Sequence, residues 1–82
     1  MAGYHIAKIQ KGSIGQLSKI QEELDELKDA EAQGVRIMML VELSDMIGAI
    51  ELYLRTQFPG WSVFDLQKMS DVTKRAFVEG SR

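Results

Sequence analysis

The sequence has no cysteine, one histidine and one proline among 82 residues. Without cysteine there is no disulfide framework and no thiolate metal site. A single histidine excludes His-rich zinc sites and makes a Ser-His-Asp arrangement a weak reading. Charge of neither sign dominates: the net charge is -2 and the pI about 5.3. A dominant nucleic-acid footprint is therefore not expected. No apolar run approaches the roughly 20 residues of a membrane span. The opening Met1-Ala2-Gly3-Tyr4 lacks the charged and apolar regions of a signal peptide, so a soluble, reducing, cytoplasmic setting is expected. A phosphate-binding loop is missing too. Gly12-Ser13-Ile14-Gly15 has neither the lysine nor the spacing of a P-loop.

What is present reads as one small all-α domain over residues 1–82. The chain is 45% hydrophobic and 27% charged, which is globular rather than disordered. A chain this short buries only about 60–65% of its unfolded surface, so a single core is marginal. A metal ion, an oligomer or both would relieve that. Residues 1–12 form a lead-in. Ser13 is placed to cap a first helix, expected over 13–34, striped by Ile14, Leu17, Ile20, Leu24 and Leu27. Gly34 is a natural left-handed stop. A second helix is expected over 35–58, ended by Phe58-Pro59-Gly60. Ser62 and Asp65 mark the start of a third, over 62–80, striped by Leu66, Met69, Val72 and Ala76. A short turn at Gly34 makes helices 1 and 2 an antiparallel hairpin.

On a helical wheel, helix 2 is apolar on two sides. One face holds Met38, Val41, Ala49 and Leu52, and the opposite one Leu40, Leu43, Ile47, Ile50 and Leu54. Only Ser44, Glu51 and Arg55 separate them. One helix of the same chain covers one face, so a partner copy is expected on the other. The expected architecture is the hairpin plus a C-terminal helix, completing a helical bundle as a homodimer or homotetramer.

Acids break the pattern. Glu42 and Asp45 fall within the Met38/Val41/Ala49/Leu52 face, and at i and i+3 they are neighbours on the helix surface. Side-by-side anions in an apolar stripe need a cation, a proton or solvent. A partly exposed pair bonded to Lys or Arg is the bland alternative. Helix 1 carries Glu22, Glu23, Asp25, Glu26, Asp29 and Glu31, against only Lys28. A solvated acidic face is the usual meaning of such a run. Yet Glu23 and Glu26 repeat the i,i+3 spacing and lie about as far before the turn as Glu42 and Asp45 lie after it. The two pairs should meet at one height. Four converging oxygen donors suit a hard cation, Mg²⁺ or Mn²⁺.

Glu22-Glu23-Leu24-Asp25-Glu26, fifteen intervening residues, then Glu42-Leu43-Ser44-Asp45 resembles the paired EExxE and ExxD motifs of the MazG-like, all-α nucleoside triphosphate pyrophosphohydrolases. The resemblance spans residues 17–54 with the apolar frame around the acids. Small phage-encoded and bacterial members have about this size. The resemblance implies cleavage of the α–β phosphoanhydride of a nucleotide to a monophosphate and pyrophosphate. It implies Glu23, Glu26, Glu42 and Asp45 as Mg²⁺ ligands and Glu22 as the acid that orients or deprotonates water. It also makes Lys19 a candidate phosphate contact, although an i,i+3 or i,i+4 pairing with Glu22 or Glu23 is as good a reading. Lys68, Lys74 and Arg75 of helix 3 are candidates for the triphosphate, against a plain role of Lys74 and Arg75 as cations near a helix C-terminus. Phosphoribosyl-ATP pyrophosphohydrolase, a relative with similar acids, marks a substrate variant.

Other residues say less. His5 reads as a surface or packed side chain and Trp61 as packing. Two rivals to the hydrolase differ in class: a non-enzymatic interaction module that docks through acidic helix 1, and a nucleotide or metal sensor that hydrolyses slowly.

Overall fold

A computed structural model describes residues 5–80, apart from the side chain of Phe77. The first four residues of the expected lead-in, with the signal-peptide reading placed on them, lie outside the described residues. Three helices follow in order: α1 (Leu17–Gln33), α2 (Arg36–Gln57) and α3 (Val63–Val78). The described residues contain no strand.

α1 starts later than the sequence pattern suggests. Gly15 has φ +85°, a left-handed conformation no helix accommodates. A Cβ there would lie 2.6 Å from Thr56 Oγ1, at the far end of α2. The chain therefore turns at residues 13–16, where the Gln16 N–H donates to the Ser13 carbonyl at 3.1 Å. Ser13 is not the cap; Gln16 holds that position and makes no side-chain capping bond. Ile14 and Leu17, expected in the buried stripe, are exposed as a result.

The stop of α1 lies at Gly34. With φ +73° it lets its own N–H reach the Glu31 carbonyl at 3.0 Å and the Val35 N–H reach the Ala30 carbonyl at 3.2 Å. Two otherwise orphaned carbonyls are satisfied by this paired closure, and the chain reverses directly into α2. α2 packs along α1, and Gly15 lies beside Leu52 and Thr56, so the two helices run antiparallel.

α3 begins with a reciprocal cap. The Ser62 N–H donates to Asp65 Oδ2 at 2.9 Å, and the Asp65 N–H donates to Ser62 Oγ at 3.2 Å. This helix leans on α2 alone and does not touch α1. Leu54, Phe58, Trp61, Leu66 and Met69 line an open apolar cleft of about 210 Å³ between the end of α2 and α3.

Among the described residues the buried apolar side chains are few: Ala30, Ala49 and Leu54. Buried acids outnumber them, with Glu22, Glu23, Asp29 and Glu42. On the other side of α2, Ile37, Leu40, Leu43 and Ile47 are exposed. The structure thus has an acidic interior on one side of α2 and an uncovered apolar face on the other.

Candidate metal centre

Antiparallel packing decides which acids meet. Glu23 and Glu26 on α1 come opposite Glu42 and Asp45 on α2, each offering one oxygen within 4.8 Å of the others. Opposite ligands of an octahedral ion lie about 4.2 Å apart, given metal–oxygen distances near 2.1 Å. Small rotations of carboxylate side chains bridge that difference. All four residues expected as metal ligands are therefore at one place.

Their surroundings are short of donors. Glu42 is 0% exposed, and its Oε1 accepts no hydrogen bond; Glu23 Oε2 is likewise buried without a donor. Burial raises the pKa of Glu42 above the ordinary carboxylate range, and Asp45 beside it raises it further. Glu23 is raised by burial and by its neighbour Glu26. Carboxylates in this state take up a proton or a cation, since an unpaired buried anion is costly. The donor set and the orphaned oxygens fit a hard divalent ion.

Glu22 behaves differently. Its Oε1 accepts the Gly12 N–H at 2.8 Å and the Lys19 ammonium at 3.1 Å. Its Oε2 lies 3.7 Å from Lys11 Nζ. Burial pushes its pKa upward, but the Gly12 N–H and the two lysines outweigh burial and hold it below the ordinary range. The contacts of Glu22 anchor the lead-in beside the acids. Gly12 is needed there as well, because a Cβ would lie 2.1 Å from the Ser18 carbonyl oxygen.

The expected phosphate contacts separate into two groups. Lys19 Nζ lies 3.4 Å from Glu23 Oε1 as well as on Glu22, so it borders the acids, and its pairing is the i,i+3 and i,i+4 alternative. Helix α3 carries its cations elsewhere. Lys68 Nζ sits 4.7 Å above the Phe64 ring, and Arg75 Nε donates to Glu79 Oε2 at 2.8 Å. Lys74 is exposed on the same helix, which has no contact with α1. Within one chain these three are not brought to the acids, because α3 docks at the far end of α2, with Leu54 roughly 13 Å along the axis from Asp45.

The lead-in supplies a residue that the sequence reads as a surface or packed side chain, and the structure packs it. The lead-in runs back along α1, and His5 Nε2 reaches 2.7 Å from Glu42 Oε2. His5 Nδ1 lies 2.8 Å from Asp29 Oδ2, and the Asp29 carboxylate also accepts the N–H groups of Ile6 and Ala7 at 3.1 and 3.0 Å and the Gln33 amide at 2.8 Å. Burial acts to lower the His5 pKa, but Asp29, Glu42 and Glu26 more than reverse it, and the result is raised. One signal for this contact was in the sequence. Glu22, Glu26 and Asp29 recur at spacings of four and three, an acidic row along the face of α1 that the lead-in crosses.

No family model matches the chain, and no curated protein or solved structure matches it. A functional reading therefore stands on the motif and on this geometry.

Proposed function

We propose that the chain is a metal-dependent nucleotide pyrophosphohydrolase that cleaves the α–β phosphoanhydride of a nucleoside triphosphate, giving a monophosphate and pyrophosphate. The observation that carries this reading is Glu42, fully buried with an orphaned oxygen at the meeting point of Glu23, Glu26 and Asp45. Those four side chains would hold Mg²⁺, with Mn²⁺ as a substitute. When bound, the ion supplies charge neutralisation for the polyphosphate and polarises a water. An acidic centre accepts an anionic substrate on that condition alone.

The chain's own residues do the rest. Glu22, with Gly12 and the lysines, fixes residues 11–12 beside the centre. Lys19 offers a cation at its edge, where a phosphate oxygen would compete with Glu22 and Glu23 for the ammonium. Helix α3 of the same chain offers no such contact, so Lys68, Lys74 and Arg75 serve the triphosphate only from another protomer. The exposed face of Ile37, Leu40, Leu43 and Ile47 supports such a homodimer or homotetramer. Among the rivals, a docking module would keep its acids solvated, whereas Glu22, Glu23 and Asp29 are buried.

The test is pyrophosphate release from a panel of NTPs and dNTPs, with Mg²⁺ or Mn²⁺ and with EDTA, beside Glu42→Gln. Metal-dependent release that falls about 100-fold or more in the variant is the expected result, a loss at least as large as that from disturbing a ligand's supporting contacts. No turnover and no nucleotide binding across the panel would put the interaction module first.

A further inference from the structure

We infer that His5, Glu26 and Glu42 form a second divalent-metal site with one nitrogen donor, fused to the carboxylate quartet through Glu26 and Glu42. This inference rests on the reading that the quartet holds a divalent ion. It adds a site of different donor chemistry and assigns a role to the only histidine of the chain.

Three observations carry it. First, one donor atom from each of His5, Glu26 and Glu42 falls within 4.8 Å of the others, the same closeness found in the quartet. Second, the ring is oriented. The Asp29 carboxylate accepts the Ile6 and Ala7 N–H groups and the Gln33 amide, and as the acceptor at its 2.8 Å contact with the ring it assigns the proton there to His5 Nδ1. The nitrogen left for a metal is Nε2, and that atom faces Glu42 Oε2 at 2.7 Å. A carboxylate that fixes one imidazole nitrogen while the other faces the ion is the usual support of a metal-ligating histidine. Third, the backbone that brings the ring in is pinned at both ends. Asp29 takes the Ile6 and Ala7 N–H groups, and Glu22 takes that of Gly12. The side chain of His5 is only 5% exposed, which is not the state of a residue trailing over a surface.

One imidazole and two carboxylates favour Mn²⁺, Fe²⁺, Co²⁺ or Zn²⁺ over Mg²⁺, which prefers oxygen. Glu26 and Glu42 each have two oxygens and so serve both ions. The competing account is that His5 is a built-in cation that neutralises Glu42 and never binds metal. The two accounts differ in whether nitrogen touches the ion.

Pulsed electron paramagnetic resonance on the tag-free full chain loaded with Mn²⁺ reads that contact directly through ¹⁴N modulation from a bound imidazole. With a single histidine, the signal has one source. Strong modulation is expected in the wild type and none in His5→Gln, with two Mn²⁺ per chain falling to one. Asp29→Asn should keep the modulation but weaken the nitrogen site about 10- to 100-fold. It also serves if His5→Gln does not fold. Mn²⁺ bound to the wild type without imidazole modulation would overturn this inference and leave the quartet intact. An absence of Mn²⁺ binding, or binding indifferent to Asp45→Asn, would overturn both readings.

Discussion

Glu22 and Glu23 are adjacent on α1 and almost equally buried, at 2% and 5% exposure. They nevertheless belong to two regions with opposite electrostatics. Glu22 faces the lead-in, where the Gly12 N–H and lysines satisfy it, as His5, Gln33 and the Ile6 and Ala7 N–H groups satisfy Asp29 further along. Glu23 faces α2, where its Oε2 and Glu42 Oε1 are both buried without a donor. Burial alone does not distinguish a structural carboxylate from one suited to a cation. The supply of donors does. The first kind stabilises the fold as an anion, and the second strains it until a proton or a metal arrives.

The sharpest way to break this contrast is to neutralise one acid of each kind in EDTA. Glu22→Gln leaves the Gly12 N–H and two lysines facing a neutral amide and should cost about 1.5–3 kcal/mol, the worth of hydrogen bonds to a charged group. Glu42→Gln removes a buried charge whose Oε1 has no donor, at the cost of the His5 contact at Oε2, and should cost the metal-free chain less than Glu22→Gln does. Equal losses in the two variants, measured by denaturant unfolding, would erase the distinction.

Metal should invert the second result. An ion that binds only the folded state adds about 1.4 kcal/mol at ten times its dissociation constant. For a domain of this size that is roughly 6–11 °C in melting temperature. The wild type and Glu22→Gln should show the increase on Mg²⁺ titration, and Glu42→Gln should not. A Mg²⁺ response that survives in Glu42→Gln would place the ion somewhere other than the quartet.

Much of this was legible in the sequence, and the limits have physical causes. The i,i+3 spacings, with the stop at Gly34, were enough to bring Glu23, Glu26, Glu42 and Asp45 to one height, because helix geometry is regular and the turn is short. The apolar pattern of α2 also announced a face its own chain leaves bare. The start of α1 was not legible, since the positive φ of Gly15 answers to Thr56, about forty residues away in sequence. Nor was His5, whose position depends on how an irregular lead-in is tied to Asp29 and Glu22. Irregular backbone has no period from which to read a direction. The same limit applies to the cations of α3. Where α3 docks is set by Leu54, Phe58 and Trp61, not by the acids.

A gentler effect is the pH profile of the metal-free chain. Glu23 and Glu42 have folded pKa values above the ordinary 4.5, so the folded state holds protons that the unfolded state has released. Their contribution falls as pH rises from 4.5 through those values. His5 is raised above 6.5, so its stabilisation is complete below 6.5 and is lost as pH climbs through its folded value. Glu22 and Asp29 are lowered from 4.5 and 3.8, and their contribution is lost only as pH drops through their folded values. In EDTA, stability should therefore be greatest in mild acid and decline through neutrality. Unfolding midpoints that rise from pH 5 to pH 8 would contradict the assignment of the two kinds of acid.

The smallest effect comes from a third kind of carboxylate. Asp65 accepts from the Ser62 N–H and hydroxyl at 2.9 and 3.0 Å, and those bonds lower its pKa as the lead-in lowers that of Glu22. It differs from Glu22 in lying near solvent at the first turn of α3, where water replaces a lost partner at little cost. Asp65→Asn should therefore destabilise the chain less than Glu22→Gln does, and the Mg²⁺ response should be untouched. Together the variants separate two variables that a single acid confounds: Glu22 and Asp65 share donors and differ in burial, whereas Glu22 and Glu23 share burial and differ in donors. If Asp65→Asn proved as costly as Glu22→Gln, donor supply alone would set the energy, and burial would matter only at Glu23 and Glu42, where donors are missing.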